Sequence, residues 1–137
     1  MADLERFVTA QAPVYALVRQ ELTIGIKQSH WMWFVFPQLR ALGYSSTAKF
    51  YGLADLDDAL AYRDHALLGA RLVECCTMMH RHADKGAVRV LGDVDGMKWR
   101  SCLTLFARTP AAPPLFADLI TTFYDGQPDP RTLALLG

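Results

Sequence analysis

The run Ser29-His30-Trp31-Met32-Trp33-Phe34-Val35-Phe36-Pro37-Gln38 constrains this chain more than any other stretch. Every residue from Trp31 to Phe36 is apolar, and Trp31, Trp33, Phe34 and Phe36 are aromatic. An aromatic side chain buries roughly 150–250 Å². At about 25 cal/mol per Å² that is on the order of 4–6 kcal/mol per ring, as an upper bound. Four such rings left in water would form a large apolar patch. The remaining segments must therefore fold over this one, and the polar residues beside it are carried into or near the interior. Any site the chain builds is expected there.

Periodicity does not decide the conformation of the run itself, which reads as a buried strand or as a turn or two of buried helix. Pro37 disfavours a helical Phe36 and opens a short helix from Gln38 to Leu42, with Gly43 as its end signal. Elsewhere the spacing is helical. Asp3 caps a helix from Leu4 to about Gln11, and Pro13 restarts the chain toward Ile24, with Val14, Leu17, Val18 and Leu22 at helical intervals. Gly25 ends that segment. Ser45-Ser46-Thr47 and Asp55 start two more helices. Leu68, Leu72, Cys75, Cys76 and Met79 form the stripe of the longest one, about Leu67 to Ala83. Val88-Arg89-Val90-Leu91 is the one β-like stretch. Asp95 is positioned to cap a helix from Met97 to about Ala107, proline-led Leu115 to Tyr124 makes another, and Asp129-Pro130 caps the last, through Leu136. The expected architecture is mainly α: a single compact multihelical domain, residues 1–137, of seven to nine short helices with at most a token strand.

Composition agrees. The 137 residues are 52% hydrophobic and 20% charged, values of a globular chain with a real core. Lysine plus arginine equals aspartate plus glutamate, 14 each. No long-range field then favours nucleic acid or an anionic membrane, although local patches are not excluded by a zero sum. No apolar run approaches the roughly 18 residues of a membrane span, and the N-terminus lacks the basic-then-apolar order of a signal peptide. The expectation is a soluble, cytoplasmic protein without a membrane partner. Cys75, Cys76 and Cys102 are an odd set containing an adjacent pair, which points to buried free thiols in a reducing compartment.

Residues suited to chemistry fall into few groups. His80 and His82 lie two apart and diverge on a helix, while Cys76 and His80 share a face but supply only two ligands. Gly92-Asp93-Val94-Asp95-Gly96 lacks the third oxygen ligand and closing glutamate of a calcium loop. Nucleotide fingerprints such as G-x-G-x-x-G and the P-loop are missing too. No metal and no cofactor are expected. Two clusters remain. In the first, Lys27, Ser29 and His30 precede Trp31, Trp33 and Gln38; the rings suit stacking on a base, with His30 and Gln38 at its edge. In the second, Asp93, Asp95, Lys98, Arg100, Ser101 and Thr104 form a turn and helix start, where Lys98, Arg100 and backbone N–H groups suit a phosphate and an aspartate suits general-base work. Each has a plainer reading: Trp31 and Trp33 as core rings, Asp95 as an N-cap, Lys98 paired with a neighbouring aspartate, His30 as a satisfied buried histidine.

These segments also carry a resemblance. Arg6-Phe7-Val8-Thr9-Ala10-Gln11, the His30 to Gln38 run, Leu42-Gly43, Leu68-Gly69-Ala70-Arg71-Leu72 and the stretch from Asp95 to Phe106 resemble, in order, the family known as domain of unknown function 1810. The likeness spans nearly the whole chain. It implies a mainly helical fold and no established activity. Ser101-Cys102-Leu103 stands where the family usually has Ser-Ser-Met, which leaves the hydroxyl at Ser101. More distantly, an early aromatic-Gln segment with a late Asp/Gly/Lys turn-helix is similar in layout to enzymes that cleave N-glycosidic bonds in riboflavin intermediates or ADP-ribosylated bases.

Two functions follow as expectations. One is a non-catalytic binding or self-associating module, with a homodimer among its forms. The other is a pocket enzyme for a nucleotide or ADP-ribose derivative. There Trp31 or Trp33 stacks the base, Gln38 and Ser101 line the ligand, Lys98 and Arg100 meet phosphate, and Asp93, Asp95 or His30 does the catalysis. The discriminating observation is whether these residues share one cleft.

Overall fold

Glycines and prolines cut the chain into short helices that enclose two longer ones. The structure, a computed structural model, describes residues 3–137. Within them lie α1 (Glu5–Gln11), α2 (Tyr15–Ile24), α3 (Met32–Val35), a 3-10 turn (Arg40–Leu42), α4 (Ser46–Tyr51) and α5 (Leu56–Asp64). After these come α6 (Ala66–His80), α7 (Ala87–Leu91), α8 (Asp93–Ala107), α9 (Pro114–Tyr124) and α10 (Pro130–Leu136). The mainly α, single-domain architecture is as expected. The described residues hold ten α-helices against the seven to nine anticipated, because the aromatic run forms α3 and the β-like stretch forms α7, while Gln38 to Leu42 yields only the 3-10 turn. The strand-like pairing is one isolated bridge, Leu39 to Leu53.

The reading of Val88 to Leu91 as β-like is corrected. Ala87, Val90 and Leu91 are buried and Val88 is exposed. That is an i, i+3, i+4 pattern, and burial along it outweighs the modest strand preference of two valines. Several local signals work as read. Asp55, Ser45 and Asp129 each accept a backbone N–H three residues on, and Gly25 closes α2 with φ +88°, a left-handed conformation that glycine adopts without steric cost. His65 is an unforeseen cap, its Nδ1 receiving the N–H groups of Leu67 and Leu68 at 3.2 Å.

α6 and α8 are the inner helices. α6 packs against α1, α2, α3, α5 and α9, and α8 against α5, α7, α9 and α10. From Ser101 to Phe106 every residue of α8 is buried, as befits a helix surrounded on all sides. The aromatic run reaches α8 through a relay of rings: Trp31 to Phe36 at 6.1 Å, Phe36 to Trp99 at 5.9 Å, Trp99 to Phe123 at 4.9 Å. Trp31, Phe34 and Phe36 are core, as expected. Trp33 is only half-buried, at the edge of the core. No helix among the described residues is long and apolar enough to cross a membrane.

α5 and α6 meet so closely at Gly69 that a Cβ there would collide with the Arg63 carbonyl. Gly69→Ala is expected to cost about 1–3 kcal/mol, the usual range for forcing a methyl into a closed contact. Urea denaturation at neutral pH measures it, and an unchanged midpoint would show that the two helices separate without penalty.

Candidate functional site

Glu21 is where local geometry begins to set the site. It lies near the end of α2 and is buried. Oε1 accepts the backbone N–H groups of Gln28 (2.9 Å) and Ser29 (3.1 Å) and the indole N–H of Trp31 (2.9 Å), while Oε2 accepts the Ser29 hydroxyl (2.6 Å). Burial by itself would raise the Glu21 pKa; the four donors outweigh it and hold the carboxyl below its usual value. Lys27, in the same loop, places Nζ 2.8 Å from Asp95 Oδ2, donates to the Ser29 carbonyl at 2.6 Å and sits 5.0 Å from the Trp31 ring centroid. Its backbone N–H reaches the Val90 carbonyl at 2.8 Å. The two sequence clusters are thus joined by an ion pair whose Lys27 side chain is almost fully covered.

The far end of α3 is held as firmly. Gln11 Nε2 and the Tyr62 hydroxyl both donate to the Phe34 carbonyl, at 2.6 and 3.2 Å, and Arg71 donates to Gln11 Oε1 at 3.2 Å. Fixed at both ends, the run turns Trp33 toward α8, where Lys98 Nζ lies 5.4 Å from its ring centroid. Gln38 is positioned by the Leu39–Leu53 bridge, its carbonyl accepting the Leu53 N–H at 3.0 Å.

Gln38 and Lys98 line two adjoining hollows. One is a narrow crevice with Trp33, Phe36 and Tyr51. The other is a cleft of about 260 Å³ walled by Tyr44, Val94, Met97, Arg100, Ser101, Asp129 and Arg131. The volume is just below the roughly 300–1,000 Å³ usual for small-ligand sites. Most polar groups in it already have partners. Arg100 donates to the Gln127 and Pro128 carbonyls at 2.8 and 3.1 Å. Asp129 Oδ2 accepts from the Ser101 hydroxyl at 3.2 Å and from both the N–H and the hydroxyl of Thr132. Arg131 donates to the Tyr44 hydroxyl at 3.2 Å. Lys98 has no hydrogen-bond or ion-pair partner among the described residues; its one polar interaction is with the face of Trp33.

Of the residues singled out from sequence, Gln38, Lys98, Arg100 and Ser101 come together around this cleft, and Trp33 borders only the adjoining crevice. Trp31 does not line it, being in the core with its N–H on Glu21. His30 is exposed and Asp93 is exposed, and neither lines the cleft. Asp95 pairs with Lys27 and is not an N-cap, because α8 already starts at Asp93 with Gly92 at the cap position. Nor does Lys98 pair with either aspartate. Sequence reading missed Glu21, Tyr44 and Arg131 as site-forming residues, and saw Asp129 only as a cap. The three cysteines are free and buried; burial pushes the Cys75 thiol up to about 12, so it is not poised as a nucleophile. Among the described residues no group of three metal-ligating side chains is placed to share an ion.

The model of the family described as protein of unknown function DUF1810 matches residues 1–136. The chain belongs to that family. It is also similar to the crystal structure of a conserved hypothetical protein from Mycobacterium tuberculosis, 48% identical, with a TM-score of 0.95 over 98% of this chain and 96% of that one. No curated protein matches the chain.

Because the Glu21 carboxyl titrates lower folded than unfolded, its contribution is complete above the unfolded value near 4.5 and is lost as pH falls through the folded value. Glu21→Gln is expected to lose about 2–4 kcal/mol at pH 7, since an amide cannot accept all four donors. The deficit shrinks once the wild-type carboxyl is protonated. Chemical denaturation from pH 7 down to pH 3 checks this; a deficit that stays constant with pH would show that the charge is not what holds the loop.

Proposed function

We propose that the protein is a non-catalytic binding module whose cleft takes a small anionic, ring-bearing molecule of the nucleotide class. The observation that carries this reading is Lys98: a half-buried ammonium with no acceptor among the described residues, set against the face of Trp33 and beside Gln38, in the wall shared by both hollows. A ligand phosphate supplies the missing acceptor. Trp33, whose ring carries Lys98 on its face, holds that ammonium at the cleft, and Gln38 offers an amide that both donates and accepts toward a base. The Arg100 and Arg131 guanidinium groups add positive potential without having to leave their own hydrogen bonds.

The carboxylates near the cleft favour binding over hydrolysis of an N-glycosidic bond. A general base needs a free oxygen within reach of a water and the anomeric carbon. Asp129 is fixed as the α10 cap by three donors on Oδ2, which leaves only its Oδ1 without a partner among the described residues; Asp95 is held by Lys27, and Asp93 lies outside the cleft lining.

Calorimetric titration with AMP and with ADP-ribose, followed by chromatography of the recovered ligand, tests this. The expected result is saturable binding, intact ligand, and a loss of about tenfold in affinity for Lys98→Ala, the scale of one charge-assisted hydrogen bond. Trp33→Ala is expected to lose less, since it frees Lys98 from its position without removing the charge. No heat of binding up to millimolar ligand contradicts the proposal, and release of a free base replaces it with the hydrolytic one.

A further inference from the structure

The cleft does not end at Tyr44. That side chain, 83% exposed, also lines a second, open hollow of about 640 Å³ together with Arg40 and Lys49. Followed from the Trp33 crevice outward, the walls carry Lys98, Arg100, Arg131, Arg40 and Lys49. The carboxylate in that lining, Asp129, is occupied as the cap of α10. In a chain of zero formal net charge, this is a local excess of positive charge whose compensating acids lie elsewhere. An exposed aromatic face interrupts it, that of Tyr44 between the two larger hollows, while Trp33 at the inner end stands behind Lys98 in the narrow crevice. The strip also has a boundary. Ala41 and Ala54, on its outer wall, line the next hollow with Asp55 and Asp57, where a phosphate would meet like charge.

We propose that this strip binds a short single-stranded oligonucleotide, a base stacking on Tyr44 and its phosphates following the cations. The inference rests on the reading above, that the inner cleft takes a nucleotide, and extends it to a ligand with further phosphates. A basic groove with an exposed ring along it suits a single strand, because every base has a face to stack and every linkage a charge. The acidic boundary at Asp55 and Asp57 limits the length, so a long polymer gains nothing over a short one. Zero net charge, which argues against a long-range pull on nucleic acid, does not bear on contacts made at this distance.

The test compares thymidine 5′-monophosphate, trithymidylate and a triglutamate peptide by calorimetry over a range of salt concentrations, with the full chain and with the surface double variant Arg40→Ala/Lys49→Ala. The trinucleotide is expected to bind at least tenfold more tightly than the mononucleotide, with a log affinity that falls more steeply with log salt by about 0.7 per added phosphate. The double variant is expected to reduce the trinucleotide to the mononucleotide level while leaving mononucleotide affinity unchanged. Equal affinity for the two nucleotides overturns the extension and leaves the nucleotide reading standing. So does a double variant that loses nothing. Triglutamate binding as well as the trinucleotide overturns it as charge attraction alone, and no binding of either nucleotide overturns both readings.

Discussion

A single buried carboxylate organises the part of this molecule that presents the cleft. Glu21 gathers four donors from the loop that follows its own helix, and a carboxylate suits that role because it accepts on both oxygens and donates nothing. Without those donors the charge would be costly to bury; without the charge, two loop N–H groups and an indole N–H would lose their acceptor. Loop and carboxylate therefore specify each other. Trp31 is seated as a result, the ring relay to Trp99 follows, and the next turn of chain presents Trp33 at the edge of the core.

The second requirement is that α8 serve two environments at once. Its middle, from Ser101 to Phe106, is wholly interior, while its first turns carry exposed Val94 and Met97 and half-buried Lys98 along the cleft. The Lys27–Asp95 pair sits where these turns meet the Glu21 loop. It ties the aromatic run to α8 at the helix that supplies Lys98, so the distance between Trp33 and Lys98 is set by two attachments and not by one flexible contact. A cation left unpaired in such a rigid frame keeps its charge available to a ligand.

Much of this was legible because the signals are local. Gly25, Ser45, Asp55 and Asp129 end or start helices through bonds to residues three or four positions away, and the apolar run announces the core by its composition. What was not legible depends on partners distant in sequence. Asp95 has the look of a cap, but its partner is Lys27, from a loop before the aromatic run. Val88 to Leu91 looks extended until the neighbours of Ala87, Val90 and Leu91 are known. His30 and Trp31 are adjacent, yet one faces solvent and the other the core, since the Glu21 bond to the indole decides the orientation of both. The cleft itself draws on Gln38, Tyr44, Lys98 and Arg131, from four separate segments, and only the first and third stood out by residue type. The family match and the 48%-identical mycobacterial structure agree on the fold, and fold alone does not assign an activity.

We propose that packing of the aromatic run delivers Trp33, Gln38 and Lys98 to one ligand-accepting wall. The most direct test is two-dimensional NMR of the backbone amides and indole N–H groups during addition of AMP. The Trp33 indole, Gln38 and the Lys98 to Ser101 turn are expected to shift together with one dissociation constant, while the Trp31 indole, sealed on Glu21, stays in place. Shifts confined to a different surface, such as the polar groove between α2 and α6 lined by Arg19 and Arg81, would contradict it.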